Sequence, residues 1–394
     1  SQLTLNSEIK IVETPYSDQD KAALLAIKAA CGGPANWSAS EPLGTSWTGV
    51  GIIQGRVTSL NMNNIGLTGN IPAALGNLSE LTSLSLQNNQ LTGLPEEIGK
   101  LKKLTSLSVQ NNKLTALPEG IGGMENLIQL YVTSNQLTTF PESIGNLKKL
   151  TYLEANSNQI STLPSSFGGL SALTTLYLTS NKLSGEMPSA ICGLGSLSSL
   201  YLENNQLISV PSSIGQMGNL KLLTFYNNVL KGDLPSELSG LPLENFNIRN
   251  NYLTFANIAA SGLSGTKAGF SYSSQRSIPL VQEVRSGMDV TLSIPDHLAN
   301  DVYKWYRTTF NKYSDGSYYY YTWELISEGP SPEFTFSPDK TYAYKCIVTN
   351  TDYSQLTLNS EIKIVETPYS DQDKAALLAI KAACGGPANW SASE

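Results

Sequence analysis

The sequence predicts a solenoid of about nine stacked coils behind a helical N-terminal cap, followed by an all-β sandwich. Three observations carry that prediction. A leucine pattern with a step of 23 or 24 residues runs from Val57 to about Phe255. Beyond it the chain changes to short alternating strands separated by turn residues. Residues Ser1–Glu41 recur letter for letter as Ser354–Glu394, at an offset of 353 residues that chance does not produce. One structural unit is therefore read as 353 residues long.

The recurrence sets the expected domain limits. Residues 1–12 read as the last strand of a preceding sandwich, 13–56 as the cap and 57–268 as the solenoid. Residues 269–365 read as the sandwich of this unit, and 366–394 as the start of the next cap, a copy of 13–41. In the cap, Ser17-Asp-Gln-Asp-Lys-Ala-Ala-Leu-Leu-Ala-Ile-Lys predicts a helix with an acidic first turn and apolar Leu24, Leu25 and Ile27. No apolar run approaches the ~18 residues a membrane helix needs, so no membrane insertion is expected in these residues.

The coil frame is clearest at Leu81-Thr-Ser-Leu84-Ser-Leu86-Gln-Asn-Asn89-Gln-Leu91, followed by Leu94-Pro95, Ile98-Gly99 and Leu101. It restarts at Leu104, Leu127, Leu150, Leu173, Leu197, Leu220 and Leu243. Leucine at the first, fourth and sixth positions gives a short strand with its apolar side inward. Asn89, Asn112, Asn135, Asn158, Asn181, Asn205, Asn228 and Asn251 share one site, where an amide both donates to and accepts from a turning backbone. Pro72, Pro95, Pro118, Pro141, Pro164, Pro188, Pro211 and Pro235 open the return segments, where a missing N–H is harmless. No coil can bury its leucines alone, so the coils share one core. Coil one departs from the frame, with Ile65 at the asparagine site.

These residues resemble the leucine-rich-repeat family, in coils of the LxxLxLxxNxLxxLPxxIGxL form. The helix with Asn36-Trp37, Trp47-Thr-Gly-Val50 and Arg56-Val57 resembles the plant-type N-terminal cap, which implies that the tryptophans plug the first coil. The cysteines that such caps carry around the second Trp are absent, with Thr45 and Ile52 in their places. The cap is thus expected to hold by packing, and a plant receptor is disfavoured.

Strands after Gly269 are read at Val290–Ile294, Val302–Arg307, Glu333–Phe336, Tyr342–Thr349 and Leu356–Val365, with Asp315-Gly316 as a hairpin turn. Trp305 and Tyr344-x-Cys346 resemble the buried Trp and tyrosine-corner strand of immunoglobulin-like sandwiches. The resemblance implies a partner cysteine, but Ile294 stands there, so Cys346 is expected to be a buried free thiol.

Charged residues are only 14 % of the chain and the net charge is −7, which excludes nucleic acid as a partner. No Cys or His spacing suits a metal, and Asp18/Asp20 and Asp296/Asp301 lack calcium-loop spacing. The single histidine, His297, reads as a solvated loop residue rather than a catalytic base. No catalytic residue, cofactor or metal is expected, and the chain is read as not an enzyme. The one arrangement that leaves glycoside chemistry open is Glu154 with Glu203, two coils apart and therefore ~10 Å distant.

Binding is the favoured role. The residues between the second and third strand leucines line the concave face: Asn61, Ser85, Ser108, Tyr131, Glu154, Tyr177, Tyr201, Thr224 and Asn247. With Tyr152 and Tyr226 beside that column and Glu203 on a strand position two coils from Glu154, the candidate ligand-binding residues are Tyr131, Tyr152, Glu154, Tyr177, Tyr201, Glu203 and Tyr226. Tyrosine suits protein hot spots and sugar rings alike. A second aromatic cluster, Tyr318–Tyr321 with Trp323, lies on the sandwich hairpin. The expected function is that of an extracellular, tandem-repeat bacterial surface protein, an adhesin or filament whose partners are a protein or glycan ligand and neighbouring identical units. The alternative is an LRR recognition receptor, soluble or membrane-anchored, that binds a peptide or glycan on the concave face.

Overall fold

The computed structural model describes residues 17–44, 46–278, 280–284, 289–295, 297–337 and 341–365; the expected leading strand and following cap lie outside the described residues. The chain divides into two units. The first holds the described residues up to Asn251 with Ala259–Leu263 and Lys267–Tyr272. The second holds Tyr252–Ile258, Ser264–Thr266 and the described residues from Ser273.

The first unit opens with the helix Asp18–Cys31, capped by the Ser17 hydroxyl, which accepts from Asp20 N at 3.2 Å. The acidic first turn splits into two roles. Asp18 is exposed, whereas Asp20 is fully buried and accepts from Arg56 Nε and Nη2, both at 3.0 Å, and from Val57 N at 2.8 Å. A buried carboxylate persists only when so compensated, and this one fastens the helix to the first coil. Trp37 and Trp47 stack at 5.7 Å, both almost wholly buried.

Nine coil strands follow in one sheet: Arg56–Asn61, Ser83–Ser85, Ser106–Ser108, Gln129–Tyr131, Tyr152–Glu154, Thr175–Tyr177, Ser199–Tyr201, Leu222–Thr224 and Asn245–Asn247. They pair parallel and in register, with Leu84 opposite Leu107 and Leu107 opposite Leu130. The antiparallel cap strand Val50–Ile53 edges this sheet at one end. At the other end the structure moves the expected boundary. The sheet does not stop before residue 269, because Phe270–Ser271 pairs with Asn245–Asn247 and Phe270 stacks on Phe246 at 5.3 Å. An aromatic pair here replaces the leucine frame, which is why the pattern fades before the sheet does.

The recurring asparagine knits each coil to the one before. Asn135 Oδ1 accepts from Leu114 N at 3.0 Å, and its Nδ2 donates to Val109 O and Val132 O, both at 3.0 Å. The residue just ahead of it sits at φ of 54 to 59° in every coil, from Asn64 to Asn250, a left-handed turn that asparagine tolerates and that serine fills at positions 134, 157 and 180. In coil one, Ile65 has no amide to give and instead donates its own N–H to Asn89 Oδ1 at 3.2 Å. Proline caps the return turns, among them Glu96–Lys100, Glu119–Gly123 and Glu142–Asn146. The glycine of each Ile-Gly pair lets the next coil approach: a Cβ on Gly145 would fall on the carbonyl oxygen of Ser166.

The second unit is an antiparallel β region of two larger sheets and a two-stranded ribbon. One holds Val281–Val284, Val290–Ser293 and Glu333–Phe336; the other holds Glu324–Gly329, Asp301–Thr308 and Tyr342–Asn350, with Thr357–Asn359 and Lys363–Val365 both on the last strand. Rings join the sheets face to face, Trp305 with Phe334 at 5.8 Å and Phe336 with Tyr344 at 4.5 Å. The single strand expected at 356–365 is broken in two, where Ser360 exchanges hydrogen bonds with the backbone of Cys346. Cys31, Cys192 and Cys346 are free and buried, and burial pushes the Cys346 thiol up to about 12.

Two outcomes follow. Replacing Asn158 by Ala should cost about 1–3 kcal/mol, because Leu137 N loses its acceptor and the carbonyls of Val132, Ala155 and Asn156 each lose one donor, while Gln159→Ala next to it on the surface stays within about 0.5 kcal/mol; urea unfolding measures both. Iodoacetamide at pH 8 should leave Cys346 unmodified in the native protein and modify it fully in denaturant, as site-resolved mass spectrometry would read.

Candidate functional site

The expected concave column exists residue for residue. Ser85, Ser108, Tyr131, Glu154, Tyr177, Tyr201, Thr224 and Asn247 lie opposite one another on consecutive strands. The alternation of each strand buries its central leucine and sends its neighbours to the other face. Four tyrosines on coils four to seven thereby form one aromatic row. Ring centroids are 5.2 Å apart from Tyr131 to Tyr152, 5.6 Å from Tyr152 to Tyr177 and 4.2 Å from Tyr177 to Tyr201. The last pair is nearly parallel, at 7°.

Hydroxyls and carboxylates run through this row. Tyr152 OH donates to Glu154 Oε2 at 3.3 Å, and Thr133 Oγ1 donates to Glu154 Oε1 at 3.1 Å. Thr179 Oγ1 donates to Glu203 Oε2 at 2.7 Å. Burial, the nearby Glu154 carboxylate and the phenol of Tyr177 hold the Tyr152 phenol well above the usual range. Burial first, and then Tyr177 and Glu203, push Tyr201 up to about 12.

The structure separates Glu203 and Tyr226 from the tyrosine column. Both lie beyond the ends of their strands, Ser199–Tyr201 and Leu222–Thr224, in the next outward column with Thr133 and Thr179. Glu154 and Glu203 are thus offset by one column as well as two coils, farther apart than the ~10 Å of a same-column pair. Each is tied to its own threonine, which does not assemble an acid–base couple. Tyr226 is 40 % exposed and stands at the rim of the row. Thr133 and Thr179 were missed as site residues because threonine is common on strands, and Thr224, although placed on the column, was not among the candidates. The signal for the first two was available in their position, one outward step from the tyrosine column. The Thr224 hydroxyl is the unusual one, since the residue is only 7 % exposed and its oxygen has no hydrogen-bond partner.

The hairpin of the second unit, Phe310–Lys312 with Tyr318–Tyr320, turns at Gly316 as expected. It presents aromatics on both faces: Tyr318, Tyr319 and Tyr321 are all exposed, and among the described residues no further strand pairs with this two-stranded ribbon. Lys345 Nζ lies 4.4 Å above the Trp323 ring. Between the two sheets a cleft of about 400 Å³ is lined by Arg307, Glu324, Phe334, Phe336 and Tyr344, with Arg307 already paired to Glu324 at 2.9 Å. His297 is exposed in a loop. Among the described residues no group of three His, Cys, Asp or Glu side chains is placed to hold a metal, and no helix is long and apolar enough to cross a membrane.

Comparison with known proteins bears on the first unit. The family profile of a leucine-rich repeat region matches residues 56–156 and 142–242. That of the leucine rich repeat N-terminal domain matches 17–51 and again 370–394. The chain is 43 % identical over 76 residues to the probable inactive receptor kinase RLK902 of Arabidopsis thaliana, covering 19 % of this chain and 12 % of that protein. It is 35 % identical over 91 residues to the receptor-like kinase TMK4 of the same plant, covering 23 % and 10 %. It therefore spans only a small part of the curated relatives it matches. Among solved structures, the complex of PEPR1 with AtPEP1 aligns at a TM-score of 0.56 and 27 % identity, over 67 % of this chain and 39 % of that one. The LRR ectodomain of the Arabidopsis thaliana receptor kinase GASSHO1/SCHENGEN3, in complex with CASPARIAN STRIP INTEGRITY FACTOR 2, aligns at 0.51 and 26 %, over 67 % and 42 %. These relatives are plant receptors, which corrects the expectation of a bacterial surface protein.

The raised phenols give a pH signature. A group whose folded pKa exceeds its unfolded value of 10.0 favours the folded state below pH 10, and that stability is lost as pH rises toward about 12. Phenolate absorbance should show tyrosines still protonated well above pH 10 in the native protein, and Tyr201→Phe should remove part of that late-titrating fraction.

Proposed function

Because the chain is a leucine-rich-repeat protein with an N-terminal repeat cap and the make-up of a receptor ectodomain, we propose that it is a non-catalytic, extracellular recognition module that takes a peptide on the concave face of coils four to eight. The observation that carries this reading is the unbroken row Tyr131–Tyr152–Tyr177–Tyr201 on a rigid parallel sheet. Rigid aromatic groups lose little conformational entropy on binding and supply both apolar area and hydroxyls. The solved ectodomains that align over two thirds of the chain include complexes with AtPEP1 and with CASPARIAN STRIP INTEGRITY FACTOR 2, which supports a ligand of similar kind. We read the C-terminal β region as an immunoglobulin-like module that spaces or orients the solenoid, on the strength of buried Trp305 and the ring contacts between its sheets.

A second reading, a tandem-repeat adhesin or fibre, is favoured by one observation. The cap profile matches a second time at residues 370–394, just after the strand Lys363–Val365. Identical units joined by a linker as short as Glu366–Ser370 would multiply a weak site into an avid one.

Peptides selected from a random phage-displayed library against the whole chain, then synthesised, test the first reading by calorimetry. Tyr177→Ser with Tyr201→Ser should weaken them at least tenfold, since hot-spot aromatics contribute about 2 kcal/mol or more each. Tyr319→Ser with Tyr321→Ser should leave affinity unchanged. The opposite result would move the site to the hairpin and defeat the reading.

A further inference from the structure

The concave face has an unusual charge distribution. Each coil sends three residues to it from around its strand: one before the second leucine, one after it and one after the third. Across nine coils these positions hold Ser, Thr, Asn, Gln, Tyr and a leucine, with three charges: Glu154, Glu203 and, at the far end, Arg249. Coils one to eight thus present two carboxylates and no cation. Neither carboxylate has an ion-pair partner among the described residues. Glu154 accepts from Thr133 and Tyr152, and Glu203 accepts from Thr179, which leaves much of the acceptor capacity of each unused.

The ring geometry narrows what can dock. Tyr177 and Tyr201 lie 4.2 Å apart and almost parallel on adjacent strands, so their facing surfaces cover each other. What remains for a ligand is a line of ring edges and phenol oxygens beside the two carboxylates. At its coil-eight end the column continues to Thr224, opposite Tyr201, with its orphan hydroxyl. The row is therefore rich in acceptors and lacks a positive charge.

We propose that Glu154, beside Tyr152 and Tyr177, and Glu203, beside Tyr201, are two anchor points of the concave face, and that each takes an arginine side chain of the peptide ligand. A guanidinium offers five N–H donors in a fixed planar fork, matching a carboxylate together with a neighbouring phenol or hydroxyl oxygen, and it is weakly enough hydrated to leave water for such a site. The net charge of −7 adds long-range attraction for a cationic segment. This inference rests on the peptide-binding reading above.

Synthetic peptides from the selection, each remade with citrulline for arginine, test it, because citrulline keeps the shape and removes the charge. Arginine should be enriched among the selected sequences. Citrulline should weaken binding at least tenfold, and the arginine peptides should weaken further with added salt. Glu154→Gln with Glu203→Gln should remove most of the arginine-to-citrulline difference, which a melting curve of the variant accompanies as a check on folding. Peptides that depend on Tyr177 and Tyr201 but ignore both citrulline and the glutamine changes would overturn the arginine anchor and leave the peptide-binding face standing. Peptides indifferent to the tyrosines would defeat both. Tyrosine-dependent capture of oligosaccharides with no peptide selected would make the face a glycan site and overturn the proposal.

Discussion

Each coil turns a corner whose backbone N–H and C=O groups are closed off from water, and in coils two to nine one asparagine amide serves the groups of two coils at once. The amide of Asn158 donates to Val132 O and Ala155 O, its own coil and the one before, and accepts from Leu137 N. Stacking is thus not an option added to folded coils. The corner of each is complete only in the presence of its neighbour, which makes the solenoid cooperative along its axis. The same bonds hold the strands in register, and register places Tyr131, Glu154, Tyr177 and Tyr201 in a single line. A recognition surface built of residues more than 20 positions apart in sequence depends on that amide.

Much of this was legible beforehand, and the reasons are physical. Leucines at fixed offsets, an asparagine per coil and a proline per return turn each answer a geometric demand that recurs every 23 or 24 residues, so the pattern reads through single substitutions. The concave column could be written down because a strand alternates. Other features have no periodic trace. Asp20 and Asp18 look alike in a first helical turn, yet only one faces Arg56, and which one follows from the packing of the helix on the coil. Phe270 prolongs the sheet through ring stacking rather than through the leucine frame. The placement of Glu203 one column off the tyrosines depends on where its strand ends, and a three-residue strand leaves no margin for error in that reading.

In the proposed peptide-binding role, the aromatic row would serve stability and recognition with the same residues. Tyr177 and Tyr201 rest on each other as core rings would, although they lie on the outward face. The Tyr201 phenol stays protonated because burial and neighbouring oxygens disfavour the charge, which keeps it a neutral donor and acceptor. Thr133 and Thr179 orient the carboxylates beside them. Such a face is set before any ligand arrives, so binding requires little rearrangement of the protein.

The repeat also acts as a ruler. Outward side chains of the solenoid recur at the strand spacing of about 4.8 Å, whereas like-facing side chains of an extended peptide recur at about 6.6 Å. Two combs of unequal pitch coincide only at intervals. A peptide lying along the coils can seat one side chain well, drifts out of step at the next, and returns to step about four coils later. A face of this construction selects its ligand by one or two anchors and their separation, and tolerates wide variation in the residues between.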